Sequence, residues 1–348
     1  MAESIPDNKV SSESLVKDVL QSIDRERERE IISRRFGLFD RKETLEQIGE
    51  LLGITRERVR QLEKSVIGKL KASSEAHKLT GIDDFQNLVL AELAKTGQVL
   101  RISDLTNRLV GDPNRIEQSR MTFLCSLCPE LVVVQDDDTY YACVSVKSAH
   151  NEKTLKEAIS GIVKTVTKIG EPKKIDYIAK QAGMNDVQLV RSLASAAKQL
   201  ATLNELWGLV KWPLVNPKNI RDKIYVILKE NGNHMHFNEI AEAIKDSDFK
   251  RKNVTTQAIH NELIKDKRFV LIGRGLYALK EWGYEKGTVA DIISQVLREA
   301  GEPLHRDEIV KRVLKSRFVK ETTILLNLQG KPQFHRVAKA TYELVEPE

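Results

Sequence analysis

The chain has 348 residues, too many for one ordinary hydrophobic core, so several small domains are expected rather than one large globule. Its composition, 41% hydrophobic, 30% charged and 5% aromatic, excludes a fibrous or disordered chain and fits a soluble, helix-rich protein. The net charge of +6 leans toward a polyanionic partner, but both signs are abundant, so the placement of the charge has to decide.

Met1–Val10 carries no basic stretch followed by an apolar run, and no segment approaches the roughly 20 apolar residues that span a bilayer. A cytosolic protein is expected, and residues 1–22 read as a polar N-terminal segment. Cys125, Cys128 and Cys143 form a sparse, odd-numbered set, which argues against a disulfide-stapled secreted scaffold and agrees with a reducing compartment.

In "KETLEQIGELLG" (Lys42–Gly53), Thr44 followed three residues later by Gln47 predicts a capping box that opens a helix. Leu45, Ile48 and Leu52 give that helix its apolar stripe, Gly53 ends it, Ile54 dips into the core and Thr55 caps the next helix. This is helix-turn-helix grammar. On the second helix, Val59, Leu62 and Val66 mark the buried side. Arg56, Arg60 and Lys64 follow one another at i+4, with Glu57 and Gln61 in the adjacent row. Arg reads guanine bidentately, Gln reads adenine and Glu accepts from cytosine, so one exposed face joins base-reading groups to phosphate-binding cations. A merely solvated face is the alternative, although such a face more often pairs Glu and Lys at i,i+4.

Residues 23–71 resemble region 4 of bacterial sigma factors of the sigma-70 type. The motifs that carry the resemblance are "RERE" (Arg27–Glu30), "RFGL" (Arg35–Leu38), "TLEQIG" (Thr44–Gly49) and "TRERVRQLE" (Thr55–Glu63). The resemblance implies that Arg56, Glu57, Arg60 and Gln61 contact an upstream (minus-35) promoter element, with Thr55, Arg58 and Lys64 completing the DNA-binding set. It also implies docking on the β-subunit flap of RNA polymerase. The residues ahead of the motif do not hold the helical region that opens the downstream promoter element in sigma factors, so a self-sufficient sigma factor is not expected.

Downstream, "GQVLRISDL" (Gly97–Leu105), "GEPKKIDYI" (Gly170–Ile178), "GNHMHFNEI" (Gly232–Ile240) and "GEPLHRDEI" (Gly301–Ile309) share one frame. Each follows an apolar helix-like run, starts on Gly as a helix stop and ends on an aliphatic residue of a new amphipathic stretch. Roughly forty residues after each Gly comes a strand-like segment with one aromatic: Tyr141, Trp207, Tyr277 and Tyr342. "FVLIGRGLYAL" (Phe269–Leu279) and "FHRVAKATYEL" (Phe334–Leu344) align without a gap, and Gly273 and Gly275 are expected to supply the positive φ of a tight hairpin. Three helices and a hairpin are the winged-helix plan.

The expected fold is therefore mainly α with small β-wings. A sigma-region-4-like helix-turn-helix (23–76) precedes about four winged-helix domains (82–147, 152–212, 217–284 and 285–348). Linkers are expected at 77–84, 148–154, 212–219 and 281–287, which are polar or hold Pro and Gly. Residues 217–348 resemble the HARE-type helix-turn-helix family, best in the third unit through "MHFNEI", "NELIKDKRFVLIGRGLYAL" and "EWGY". That module occurs in the delta subunit of RNA polymerase, in restriction-type proteins and in chromatin proteins.

Lys265, Lys267, Arg268 and Arg274 cluster near the third wing, and Lys331, Arg336 and Lys339 near the fourth. Arg268, Arg274, Arg336 and Lys339 are the candidate phosphate contacts, against the alternative of plain solvated hairpins. The first wing instead carries Asp136, Asp137 and Asp138, which repel DNA, so that unit is expected to contact protein or to act as a spacer.

Other chemistry is weak. Cys125 and Cys128 form a lone CxxC without the second pair of a structural zinc site, and even with Cys143 and His150 they read better as core thiols. His236 with Glu239 and His305 with Glu308 sit where helices start, and Arg101 and Lys174 stand at the same place in the other units, so caps are expected rather than ligands. No Gly-rich phosphate loop, H-E-x-x-H or G-x-S-x-G occurs. The expectation is a cytoplasmic, nucleoid-associated DNA-binding transcription regulator without enzymatic activity, cofactor, metal or small-molecule substrate. Its expected partners are promoter-like double-stranded DNA and the RNA polymerase core, not a membrane. The alternatives are an accessory factor resembling the delta subunit and the targeting subunit of a DNA restriction or modification system.

Overall fold

The computed structural model describes residues 11–249, 253–284 and 287–345, so the reading of Met1–Val10 lies outside the described residues. The chain divides into two compact units, Met1–Val210 and Lys211–Glu348.

The first unit opens with a helix, α1 (Ser12–Gln21), where the sequence read as a polar segment. Ser11 caps it, and Val16, Val19 and Leu20 fall on one face at i, i+3 and i+4 and are buried. The polar composition of this stretch concealed a stripe of only three apolar residues. Three helices follow: α2 (Glu26–Phe36), α3 (Leu45–Leu52) and α4 (Arg56–Glu75). Ile31, Ile48 and Val59, one from each, meet in a small core ringed by Leu45, Leu52, Ile54 and Leu62.

Two repeats complete this unit. The first comprises α5 (Ile82–Lys95), β1 (Val99–Arg101), α6 (Ile102–Leu109), α7 (Arg115–Leu127), β2 (Leu131–Val134) and β3 (Cys143–Val146). The second comprises α8 (Glu152–Ile169), β4 (Lys173–Lys174), α9 (Ile175–Gln181), α10 (Val187–Ala196), β5 (Leu200–Leu203) and β6 (Leu206–Leu209). The Lys211–Glu348 unit repeats the plan twice. Its third repeat runs α11 (Ile220–Asn231), β7 (Met235–His236), α12 (Phe237–Asp246), α13 (Thr256–Lys265), β8 (Phe269–Gly273) and β9 (Leu276–Leu279). The fourth runs α14 (Val289–Ala300), β10 (Leu304–His305), α15 (Arg306–Ser316), α16 (Glu321–Gly330), β11 (Phe334–Ala338) and β12 (Thr341–Leu344). In every repeat the last strand lies between the other two, antiparallel to both.

The shared frame explains this regularity. Gly170, Gly232 and Gly301 take left-handed backbone at the C-caps of α8, α11 and α14. Leu105, Ile178, Ile240 and Ile309 are all buried in the next helix. Trp207, Tyr277 and Tyr342 lie on the central strands and are buried, whereas Tyr141 falls just before β3 and is half-buried. The gapless match of the last two hairpins extends to their irregularities. Phe269 pairs with Leu279 as Phe334 pairs with Leu344, and both first strands shift register at the matching place. Gly275, at φ +69°, corresponds to Ala340, at φ +58°. Gly273 lies inside β8 at the register shift and lacks the positive φ expected of it.

The segments expected to be linkers differ in character. Residues 77–84 are packed: Leu79 and Ile82 belong to a core that runs from Val16 to Val144, through α1, α2, α4 and the first repeat. Arg120 of α7 is buried in this region, pairing with Glu13 at 2.9 Å and Glu117 at 2.6 Å and donating to the Leu38 carbonyl at 2.7 Å. The rings of Phe36 and Phe123 meet at a tilt of 58°, with centres 5.1 Å apart. At 148–154, Asn151 and Thr154 form the capping box of α8. Residues 212–219 adjoin the division between the two units, and 281–287 includes two residues outside the described set.

Candidate nucleic-acid interface

The α3–α4 turn follows from four residues. Gln47 N donates to Thr44 Oγ1 at 3.2 Å while Thr44 N donates to Gln47 Oε1 at 2.9 Å, closing the capping box. Gly53 turns the chain at φ +64°, and Ile54 N returns to the Gly49 carbonyl at 2.9 Å. A Cβ on Gly49 would stand 2.7 Å from the Ile54 carbonyl oxygen, so only glycine allows this close crossing. Thr55 Oγ1 then accepts from Arg58 N at 3.2 Å, which makes Thr55 the cap that starts α4.

Val59 and Val66 turn inward, while Arg56, Glu57, Arg58, Arg60, Gln61 and Lys64 are all exposed. Their side chains form a network. Arg60 grips Glu57 with two hydrogen bonds, 2.7 Å from Nε and 2.6 Å from Nη2. Gln61 donates to Glu57 at 3.3 Å and accepts from Arg58 at 3.4 Å, and Arg56 reaches back to Glu46 of α3 at 3.1 Å. Lys64 has no carboxylate partner among the described residues. The pair Arg35–Glu63, at 3.2 Å, braces α2 against α4 beside this face, and the Arg27 guanidinium donates to the Leu52 carbonyl at the end of α3.

The Arg60 guanidinium, helped by Gln61 and Arg56, holds the Glu57 carboxyl at a pKa of about 2, against an ordinary 4.5. Its folded value lies below the unfolded one, so the pair contributes fully above pH 4.5 and is lost only as pH falls through about 2. The charge pattern of the face is therefore constant through neutral pH. A carbon-detected NMR titration of Glu57 should place its midpoint near 2, and Arg60→Gln should move it back toward 4.5. An unchanged midpoint in the variant would show that the two side chains do not pair in solution.

The wing cations are placed less uniformly than the sequence implied. Arg268, expected at a phosphate, is half-buried at the base of its hairpin, paired with Asp266 at 2.8 Å and Asp222 at 3.2 Å and stacked over Tyr225. Two carboxylates and an aromatic ring already satisfy its guanidinium, so it acts as a clamp between α11 and β8. Arg274 and Lys339 sit exposed at the hairpin turns, and Arg336 is exposed with its Nε donating to the Ala338 carbonyl at 3.2 Å. The acidic stretch of the first repeat meets protein of its own chain: Asp136 pairs with Lys198 of the second repeat at 2.9 Å, and Tyr141 N donates to the Ala196 carbonyl at 2.9 Å.

His236 caps α12 in a box with Glu239, whose carboxylate accepts from His236 N at 2.8 Å. His305 also caps its helix, through Asp307 N at 3.3 Å, but Glu308 pairs with Arg312 instead of completing a box. Cys125, Cys128 and Cys143 are buried thiols, and burial pushes Cys128 and Cys143 up to about 12. Among the described residues no group of three or more His, Cys, Asp or Glu is placed to hold a metal ion, and no helix is long and apolar enough to cross a membrane. Sequence reasoning missed Arg120, whose partner Glu13 lies far away in the chain; the one local signal was Glu117, three residues before it.

Residues 25–72 match the family model of Sigma-70, region 4, and this is the class to which the helix-turn-helix segment conforms. Among curated proteins, the chain is 43% identical over 65 residues to an RNA polymerase sigma factor SigA from Bacillus sp, covering 18% of this chain and 17% of that one. It is 42% identical over 74 residues to an RNA polymerase sigma factor sigB from Arabidopsis thaliana, covering 19% of this chain and 13% of the relative. The chain thus spans less than a fifth of either relative's length. A solved structure, a bacterial selenocysteine-specific elongation factor, is 15% identical over 79% of this chain and 40% of its own; at a TM-score of 0.20 it carries no argument.

Proposed function

We propose that this protein is a DNA-binding transcription regulator related to sigma factors, and that α4 reads a promoter element in the major groove. The observation that supports it is the exposed face of α4 inside the region-4 segment, where Arg60 and Gln61 are held by Glu57 and Arg56 is held by Glu46 of α3. Arg58 and Lys64 flank the reading row as phosphate contacts. By the same likeness to sigma factors, RNA polymerase is the protein partner, with the β flap as its docking point. On the reading of the repeats as winged helices, of HARE type in the second unit, they extend or tether that complex.

The test is fluorescence anisotropy with duplexes that contain or lack a minus-35-like hexamer, at two salt concentrations. Wild-type protein should prefer the hexamer, and Gln61→Ala should lose about 1–3 kcal/mol of that preference. Equal, steeply salt-dependent binding of both duplexes would leave phosphate attraction alone and end the promoter-reader proposal.

A further inference from the structure

A half-enclosed cavity of about 310 Å³ lies in the Met1–Val210 unit, where the turn between α2 and α3 faces the first repeat. Three cations from three separate elements line it. Lys42 stands in the turn, which Gly37 makes possible at φ +65°, since a Cβ there would sit 2.8 Å from Lys42 N. Arg101 precedes α6, and Arg115 is the first residue of α7, fixed by the Asn114 cap. The contacts of Arg120 with the Leu38 carbonyl and of Phe36 with Phe123 hold these elements together.

The cations are poorly matched by what surrounds them. Among the described residues neither Lys42 nor Arg115 has a carboxylate within ion-pair distance. Asp136, the one acid in the lining, is taken by Lys198 at 2.9 Å. The Arg101 guanidinium carbon lies over Tyr141, 3.9 Å from the ring centre, and its Nε is buried without any hydrogen-bond partner. Buried donors almost always find an acceptor, because leaving one unpaired forfeits its hydration without return. Lys42 is exposed as a residue, yet loss of water around its ammonium, and next the nearby Arg35, hold its pKa below the ordinary lysine value, with Glu63 and Asp136 offsetting only part of this. An anion placed here would pair Arg115 and favour the charged form of Lys42.

We propose that this cavity binds a phosphate group, with Arg101, Arg115 and Lys42 supplying the charge and Ser119 a hydroxyl donor. The cavity takes a phosphate or pyrophosphate, not a nucleic-acid helix, so the group enters through its open side. Two sources share that chemistry: a backbone phosphate of a duplex bound through α4, or a free phosphate compound. The first rests on the function proposed above and the second does not.

The experiment uses the full chain in two arms, with wild type, Arg115→Gln, the double variant Lys42→Gln/Arg115→Gln, and Gln61→Ala as a control for the reading helix. Arg115 and Lys42 are exposed and unpaired, so circular-dichroism melts of these variants should match wild type. In the first arm pyrophosphate is titrated by calorimetry; saturable binding that weakens at least tenfold in the double variant supports a free-phosphate site. In the second, duplex affinity is measured against salt. A slope lowered by about 1 for each cation removed, with Gln61→Ala leaving the slope intact, supports a backbone site. If wild type binds no duplex, the promoter reading fails and the pyrophosphate arm alone decides. No pyrophosphate binding, together with duplex binding unaltered in the double variant or absent from wild type, overturns the proposal.

Discussion

Replacing Arg120 with methionine should lower the unfolding free energy of the Met1–Val210 unit by about 3 kcal/mol, a large fraction of what holds a domain together. The guanidinium is buried and carries three separate connections: Glu13 of α1, Glu117 of its own helix and the Leu38 carbonyl after α2. Methionine keeps the stem's packing but takes a donor from two carboxylates and from the Leu38 carbonyl; Glu13 retains Lys17 and Glu117 retains Ser12, yet losing the guanidinium at this buried place costs more than the pair itself contributes. Urea denaturation followed by tryptophan and helical signals measures the change. The double variant Arg120→Met/Glu117→Met should recover part of the loss, because it removes the stranded charge as well. A loss under about 0.5 kcal/mol, the scale of an ordinary surface substitution, would mean that Arg120 does not clamp the helices.

The second large effect concerns binding. Reversing two charges, Arg56→Glu/Arg60→Glu, should weaken duplex affinity by about a hundredfold or more at ~0.1 M salt and flatten its salt dependence by about 2. Both side chains are exposed, and their partners are Glu46 and Glu57, so the substitution gathers four carboxylates on the face that is proposed to meet phosphates and base edges. The core of Ile31, Ile48 and Val59 is untouched, and the melting curve should stay close to wild type. Affinity within threefold of wild type would remove α4 from the interface and shift attention to the repeats or to a protein partner.

The helix-turn-helix was legible in the sequence because its information is local. The Thr44–Gln47 box, the Gly53 stop and the Thr55 cap each act within four residues, and all form where the spacing predicted them. The repeat frame was readable for the same reason: a helix-stopping glycine and an aliphatic residue eight positions on recur whatever lies between them. What stayed hidden depends on distant partners. Nothing near Arg120 announces Glu13, so the buried clamp left no mark in the sequence, and although the acidic stretch was expected to meet protein or act as a spacer, nothing near Asp136 announces Lys198 as its partner. The pairing of Arg268 was hidden in the same way, since its Asp222 partner sits on another helix. On α4 the exposure of the face was readable from its spacing but the Arg60–Glu57 grip was not, and that grip turns a row of independent charges into one linked set.

The packed passage from α4 into the first repeat, and the docking of that repeat's acidic loop on the second, have a mechanical consequence. A duplex makes a full turn in about 10–10.5 base pairs, so each base pair inserted between two contact points swings the second one around the axis by roughly a tenth of a turn. Arg120, Asp136–Lys198 and the approach of Gly97 to Leu189 join α4's domain to the first repeat and the first repeat to the second. If α4 reads DNA as proposed and these contacts persist in solution, the second repeat would stand at one azimuth and gauge the phase of whatever else is bound to the same DNA.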